Sequence, residues 1–295
     1  MKDSIIQAGL VVHPLTQAQL YNFAAKPVHA VLLIGPDGIG KTALAEALIC
    51  NLLELPPAAL RSYPQFAGVT PTNSTISIDA IRELQKFLQL KTIGNRPLRR
   101  AVLIEHAQEL TIEAQNAYLK LLEEPPADTI MVLTVSTPRA LLPTIMSRVQ
   151  SITVHTPTEA QAQPLFKASA KDPAILQQAY YLSGGLPGLF AALVSGDETH
   201  PLLASVADAK AILQKTPFER LAMVDGLSKQ KANALLIVEA LSRIADTMIA
   251  SAAQKSDATR LRQWHHIRTE TLHTSEALAQ SANAKLALSN LFLHL

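Results

Sequence analysis

The chain contains a single cysteine, Cys50, among its 295 residues. One thiol cannot form an internal disulfide or a four-thiolate zinc site, which is typical of a protein in a reducing compartment. Phe, Trp and Tyr together make up only 4% of the sequence, too few for a platform on which single-stranded nucleic acid would stack. We therefore expect neither bound zinc nor a base-stacking surface.

Long apolar runs are also missing, since stretches such as Ala30–Ile34 and 130–135 fall far short of the roughly 18 residues that span a bilayer. Residues 1–6 contain no sustained apolar segment and no small-residue cleavage site, so no secretory signal is apparent. The formal net charge is only +2, which gives no global field for gripping nucleic acid or an anionic membrane. We expect a cytoplasmic protein that does not bind membranes.

What the sequence does contain is enough apolar material for a core, at 48% of residues. In the first half, short Val/Ile/Leu-rich runs alternate with helical patterns. We predict strands at residues 30–34, 74–78, 101–105, 130–135 and 151–154. Because these runs are mostly continuous and are separated by helical stretches, they predict an α/β domain with a parallel five-stranded sheet and right-handed crossovers.

The second half has almost no strand signal, and the organisation changes near residue 156, where Pro157 ends the last predicted strand. Residues 158–197 predict a few short helices, interrupted near Pro173 and by glycines and proline at 183–188. From residue 198 onward, apolar residues recur at helical spacing, which predicts a helical bundle. The chain is therefore divided into three parts: 1–156, 157–197 and 198–295.

The strongest motif is the run Gly35-Pro36-Asp37-Gly38-Ile39-Gly40-Lys41-Thr42, which follows a predicted strand and opens a helix. It matches the P-loop pattern G-x-x-x-x-G-K-[ST], in which backbone N–H groups and a helix N-terminus face phosphates. Lys41 would reach the β- and γ-phosphates of ATP, and the Thr42 hydroxyl would coordinate Mg²⁺. A turn that binds nothing has no reason to place Lys and Thr after the last glycine. The predicted ATP-binding residues are Gly35, Gly38, Ile39, Gly40, Lys41, Thr42 and Ala43.

A P-loop ATPase also needs an acidic residue at the end of a neighbouring strand. Here a predicted strand ends in Glu105, which can serve the Mg²⁺ shell although it is longer than the usual aspartate. His106 stands where a general-base carboxylate is expected, and an imidazole is a poorer choice beside Mg²⁺ and triphosphate. This substitution argues against efficient hydrolysis by the chain, although His106 as a strand-end residue without a chemical role is an equal alternative.

Three arginines, Arg96, Arg99 and Arg100, precede a predicted strand. They would either contact a phosphate backbone or form a solvated edge of the sheet. We favour the solvated edge.

Further segments carry a resemblance to a known family. They are the helix Ala114-Gln115-Asn116-Ala117-Tyr118-Leu119-Lys120-Leu121-Leu122-Glu123-Glu124-Pro125-Pro126, the run Leu142-Pro143-Thr144-Ile145-Met146-Ser147-Arg148 and residues 78–84. Together with the P-loop they resemble the AAA+ subunits of bacterial DNA polymerase III clamp loaders over most of residues 10–150. Few other proteins share this combination. The run Leu182-Ser183-Gly184-Gly185-Leu186-Pro187-Gly188 is more similar to the delta-prime type than to the gamma type, and residues 283–288 resemble the end of the family's collar domain.

The resemblance implies an ATPase domain, a helical lid and a collar that joins a five-subunit ring, which opens a sliding clamp onto primed DNA. It also implies that Arg148 is an arginine finger that reaches the ATP of a neighbouring subunit. A fixed planar guanidinium suits that role. The alternative for Arg148 is a salt bridge within its own domain. Ser136 is the sensor-1 candidate, with an ordinary loop hydroxyl as the alternative.

The sequence departs from the family pattern in four places. Val149 replaces the cysteine after Arg148, residues 51–73 lack the four cysteines of the family's zinc module, Leu186 and Pro187 stand where motor subunits carry the sensor-2 arginine, and His106 follows Glu105. We therefore interpret the chain as a delta-prime-like stator that binds ATP and presents Arg148 to a neighbour. The alternatives are a gamma/tau-type motor with its own hydrolysis and, with little support from the helical half, a small-molecule kinase.

Overall fold

The computed structural model describes residues 10–92, 95–158, 160–162, 173–195, 201–279 and 283–295. The chain forms two compact units, residues 1–161 and residues 162–295. The three-part division at 156 and 197 stays a prediction.

The first unit alternates helices and strands around one sheet. All strand pairs of its sheet are parallel, and the strands lie side by side in the order Phe66–Val69, Arg100–Ile104, Thr129–Val135, Ala30–Ile34 and Gln150–Thr153, so the predicted five-stranded α/β sheet is confirmed. The described part of the unit also contains short 3₁₀ helices at Pro57–Ser62, Ala107–Glu109 and Pro138–Ala140. Its main elements are α1 (Pro14–Ala25), β1 (Ala30–Ile34), α2 (Lys41–Leu53), β2 (Phe66–Val69), α3 (Ile78–Gln89), β3 (Arg100–Ile104), α4 (Ile112–Glu123), β4 (Thr129–Val135), α5 (Pro143–Met146) and β5 (Gln150–Thr153).

The strand predicted at residues 74–78 is wrong, and the strand β2 takes its place in the sheet. Ser77 is the N-cap of α3, because its hydroxyl accepts a hydrogen bond from the Ala80 N–H. The β-branched residues before it form only isolated bridges, and Ile76 is buried as a loop anchor. The strand β2 pairs on one side only, with β3, and contains Ala67 and Gly68, which are both poor strand formers. This composition explains why its signal in the sequence is weak.

The core of the first unit is built from strand residues that alternate between the two faces of the sheet. On one face, strand side chains pack against the apolar stripes of α3 and α4. Tyr118 of α4 is fully buried in this core, where burial raises the pKa of its phenol. Cys50 is also buried, and burial together with the nearby charge of Glu46 raises the pKa of its thiol. The residues of this core include Leu32, Ile81, Leu84, Leu88, Val102, Ile104, Ala114, Leu122, Met131 and Leu133.

The expected solvated arginine edge is wrong for Arg100, which is only 3% exposed. Its guanidinium donates hydrogen bonds to the carbonyls of Leu88 and Leu90, at the C-terminal end of α3. Arg99 forms an ion pair with Asp128 at 3.2 Å. A buried guanidinium that satisfies helix-end carbonyls has a structural role.

The second unit is helical, and its core is shared by residues from several helices. Leu182 packs in the same cluster as Val206, Val238 and Phe292. None of the described helices combines the length and apolar character that a bilayer-spanning segment needs. The helices are α6 (Pro173–Ser183), α7 (Pro187–Ser195), α8 (Pro201–Gln214), α9 (Pro217–Ser228), α10 (Lys231–Gln254), α11 (Ala258–Ala279) and α12 (Ala284–His294).

The turn between α6 and α7 accounts for the glycines of the 182–188 run. Gly184 and Gly185 have φ values of +60° and +74°, which side chains rarely adopt. A Cβ on Gly184 would also lie 3.0 Å from an Arg243 guanidinium nitrogen, which donates a 2.8 Å hydrogen bond to the Ser183 carbonyl. The glycines at 184 and 185 are therefore explained by the backbone conformation and the packing of the second unit. The predicted break near Pro173 borders residues 163–172, which lie outside the described residues.

Candidate nucleotide-binding site

The P-loop connects β1 to α2 in a conformation that requires its glycines. Gly38 and Gly40 have φ values of +80° and +91°, in the region that favours glycine. Gly35 is restricted by space, because a Cβ there would lie 3.0 Å from the Val154 carbonyl oxygen. Ile39 is buried and anchors the loop in the core. The loop is thus fixed by both backbone conformation and packing.

Lys41 is the buried cation of this loop, with a side chain only 5% exposed. Its Nζ donates to the carbonyl oxygens of Gly35 and Pro36, at 2.8 and 3.0 Å, and to the Asp37 carboxylate at 3.1 Å. The three N–H donors of the ammonium group are therefore matched by three acceptors of the same loop.

The start of α2 adds backbone donors to the site. Gly40 is its N-cap and provides no capping side chain, so the first-turn N–H groups, including that of Ala43, have no side-chain acceptor from the cap. Such groups, together with the helix dipole, favour a bound anion.

Thr42 and Glu105, which the sequence predicts as metal-site residues, lie in direct contact. The Thr42 hydroxyl donates a 3.0 Å hydrogen bond to a Glu105 carboxylate oxygen. They meet because β1 and β3 are parallel, so the P-loop and Glu105 both follow carboxyl ends of strands at the same edge of the sheet. A hydroxyl and a carboxylate are oxygen ligands of the kind that Mg²⁺ prefers.

Arg61 is a neighbour of this pair that the sequence analysis missed. It lies in the 3₁₀ helix Pro57–Ser62, and its guanidinium is 3.6 Å from Glu105 and hydrogen-bonded to Glu46 of α2. The contact depends on how the chain folds after α2, so no local sequence pattern could have indicated it. Arg61 brings positive charge to the Glu105 carboxylate.

His106 and Ser136 lie at the ends of adjacent strands. His106 has a φ of +51°, its backbone N–H donates to the Thr134 hydroxyl at 3.1 Å, and its Nδ1 lies 4.0 Å from the Asp37 carboxylate. The Ser136 backbone N–H donates to the Gln108 side chain at 3.2 Å. Ser136 directly follows β4, which lies between β1 and β3. Its sensor-1 role stays a prediction.

Arg148 lies in a different environment, after the short helix α5. Its guanidinium donates to the Glu123 carboxylate and to the Thr144 carbonyl, each at 3.0 Å. The salt bridge within the domain that the sequence analysis gave as an alternative is therefore present in this chain. Because the side chain is 36% exposed, the pair contributes only about 0–1 kcal/mol. The role of Arg148 as a finger in trans is untested and stays a prediction.

Gln115 explains part of the motif helix that precedes Arg148. It is buried, and its amide nitrogen donates to the carbonyls of Leu110 and Ala140, at 3.2 and 3.1 Å. Its oxygen accepts a 2.8 Å hydrogen bond from the Leu142 N–H. Gln115 therefore fixes α4 to the loop that leads into the Arg148 segment.

The parallel sheet, the P-loop and the second, helical unit define this chain as a P-loop α/β protein with an additional helical unit. A solved DNA polymerase III gamma-subunit-related protein from Thermotoga maritima covers 95% of this chain and 98% of its own, with a TM-score of 0.53. At 21% identity, this similarity supports the fold alone.

Sequence comparisons show which known proteins the P-loop domain is similar to. Residues 16–158 match the family described as DNA polymerase III, delta subunit. The chain is 37% identical over 182 residues to DNA polymerase III subunit delta' of Pseudomonas aeruginosa, which covers 55% of each protein. The corresponding protein of Escherichia coli is 32% identical over 192 residues, 59% of this chain and 57% of the relative. A DNA polymerase III subunit gamma/tau of Mycobacterium tuberculosis is 29% identical over 135 residues, 41% of this chain and 23% of the relative.

Residues 16–158 of this chain are thus similar to the delta and delta' subunits of DNA polymerase III, and the match to gamma/tau subunits is shorter and less identical. The chain spans little more than half the length of the delta-prime relatives it matches.

Proposed function

We propose that the P-loop domain binds ATP together with Mg²⁺. The glycine conformations, the buried Lys41 and the uncapped start of α2 support a phosphate site. The Thr42 hydroxyl and the Glu105 carboxylate, already in contact, would hold the metal ion. When bound, Mg²⁺ supplies positive charge that neutralises phosphate oxygens. The chain's own residues orient the phosphates through the loop and exclude water through the buried Ile39.

In this proposal the chain itself hydrolyses ATP poorly. The position after Glu105 carries an imidazole rather than a carboxylate, and its backbone is held by Thr134 in a left-handed conformation. The imidazole nitrogen nearest the P-loop faces the Asp37 carboxylate. Beside Mg²⁺ and a triphosphate, an imidazole is a poorer choice for this position than the carboxylate expected of a P-loop ATPase, because the imidazolium formed on taking up a proton would be repelled by the metal ion.

We further propose that the chain is a delta-prime-like stator of the DNA polymerase III clamp loader. It would join other clamp-loader subunits in a hetero-pentamer and help the ATP-dependent loading of the sliding clamp onto primer-template DNA. This proposal rests on the match of residues 16–158, which include both the P-loop and Arg148, to the DNA polymerase III delta subunit family. Arg148 would act in trans, because its exposed ion pair with Glu123 is weak enough to exchange for a neighbour's phosphates.

The test is an assembly reconstituted with this chain and its partner subunits. Arg148→Ala should lower the DNA-stimulated ATPase activity at the neighbouring site by at least about tenfold, since arginine fingers contribute large factors to phosphoryl transfer. Arg139→Ala, an exposed arginine in the 3₁₀ helix Pro138–Ala140, is the matched control and should leave the activity unchanged. Equal activity of the Arg148→Ala and control assemblies would contradict the proposal.

A second candidate is a gamma/tau-type motor, which the intact Lys41 and Thr42 favour. That function requires ATP turnover by the isolated chain, abolished by Lys41→Ala. A stator binds nucleotide without comparable turnover, so single-turnover hydrolysis by the purified chain separates the two.

A further inference from the structure

Asp37 is the only acidic residue within the P-loop, residues 35–42. Its carboxylate lies 3.1 Å from Lys41 Nζ and its side chain is 59% exposed, whereas that of Lys41 is 5% exposed. The loop therefore places a solvent-accessible negative charge beside the buried cation that nucleotide phosphates would approach.

The hydrogen bonds of Lys41 make this charge a direct rival of a bound phosphate. Each donor of the ammonium group already has an acceptor in the loop, and two of the acceptors, the Gly35 and Pro36 carbonyls, are neutral. The Asp37 carboxylate is the third and the only charged one. Since the ammonium group has three donors, a phosphate oxygen can bond to it only if one of these acceptors gives way.

We propose that Asp37 is an internal competitor of the nucleotide's terminal phosphates. It lowers the affinity of the P-loop for nucleotides and biases it towards diphosphates. The inference rests on the nucleotide binding proposed above. A carboxylate close to the phosphate site repels each added negative charge, so ATP is penalised more than ADP. The other charged or titratable group facing Asp37 is His106, at 4.0 Å, so all measurements are made at one fixed pH.

A purely structural role for Asp37 predicts the opposite result. If the carboxylate served only to orient Lys41 through this i,i+4 pair, its removal would loosen the lysine and weaken nucleotide binding. The sign of the change in affinity therefore separates a competitor from a positioning residue.

The experiment measures dissociation constants for ADP and ATP by calorimetry on the full chain, in EDTA so that no metal contributes. Asp37→Asn, which keeps the shape and removes the charge, should tighten ATP binding about tenfold, equivalent to about 1.4 kcal/mol. ADP binding should tighten less, and both gains should shrink as salt is raised. Asp79→Asn is the matched control, because Asp79 is also an exposed aspartate in a short-range ion pair, with Arg82 at 3.0 Å.

The outcomes are distinguishable. Unchanged or weaker binding by Asp37→Asn, with binding still abolished by Lys41→Ala, overturns the competitor role and leaves the nucleotide site intact. Binding that Lys41→Ala does not weaken overturns the proposed site itself, and so does a complete lack of binding by both the unmodified chain and Asp37→Asn. Thermal melting of each variant verifies that it is folded.

Discussion

The two cations on which the proposed function depends lie in opposite environments. Lys41 is buried and held by three acceptors within its own loop, whereas Arg148 is far more exposed and pairs with one carboxylate. Burial and these hydrogen bonds hold the Lys41 ammonium group inside its own P-loop. Weak pairing leaves Arg148 able to exchange Glu123 for another anion at little energetic cost. In the proposed function, the same domain would bind nucleotide through Lys41 and present Arg148 to a neighbouring subunit.

Among the variants that test this comparison, Lys41→Ala is expected to cause the largest change in nucleotide affinity. The change removes the only cation of the P-loop and leaves the Asp37 carboxylate unneutralised, so ADP affinity should fall by about 100-fold or more, as for the loss of a buried charge contact. Lys120→Ala, on the exposed surface of α4, is the control. Equal ADP affinities for the two variants, measured by calorimetry, would break the comparison.

Thr42→Val is expected to have a smaller effect that concerns the metal alone. Valine has nearly the shape of threonine but no hydroxyl, so the contact with Glu105 is lost while the loop backbone is kept. The strengthening of ATP binding by Mg²⁺ should fall about tenfold, the effect of one lost hydrogen bond to a charged group. ATP binding in EDTA should be unchanged. A variant that keeps the full Mg²⁺ effect would show that Thr42 does not hold the ion.

Arg61 combines features of the two cations. It is exposed, as Arg148 is, but it contacts Glu105, the carboxylate that also contacts Thr42 of the P-loop. Its guanidinium lies beside the Glu105 carboxylate and would compete with a divalent cation for it. Arg61→Gln should therefore increase the dependence of ATP binding on Mg²⁺ about threefold, the size expected for an exposed charge pair. Arg82→Gln, which removes an equally exposed guanidinium from α3, should leave that dependence unchanged.

The smallest effect is expected for the pair formed by Arg148 and Glu123. A double-mutant cycle on the isolated chain, with each residue changed to alanine, should give a coupling below about 1 kcal/mol in urea unfolding. A coupling of several kcal/mol would show that Arg148 is firmly held by its own domain. Arg148 would then be held as firmly as Lys41, and the two cations would no longer differ in this respect.

The strands β1, β3 and β4 were predictable because buried parallel strands are nearly continuous apolar runs. The edge strand β5 was also predicted, although only Ile152 of its four residues is buried. The edge strand β2 was not, since Ala67 and Gly68 carry little strand signal, and the β-branched residues near Ser77 form a helix cap instead. Propensity was overridden there by the requirements of helix capping.

The candidate site was predictable where a motif and parallel topology act together, as for Thr42 and Glu105. The pairing of Asp37 with Lys41 was not readable from their spacing, because Asp37 lies in the loop before α2 and i,i+4 neighbours are expected only within a helix. Arg61 was not readable at all, because its contacts with Glu46 and Glu105 join segments that only the tertiary fold brings together. The same holds for the contact of Arg148 with Glu123, because the fold brings these two residues together across 25 positions of sequence.

The buried amide of Gln115 bears on how the motif in α4 should be understood. Both ends of this amide are occupied by main-chain groups, one from Leu110 before α4 and two from Ala140 and Leu142 before α5. A glutamate there would put a carboxylate against two carbonyl oxygens, so the position demands an amide for architectural reasons. In this chain, therefore, the glutamine of the motif has the task of holding in place the segment that carries Arg148.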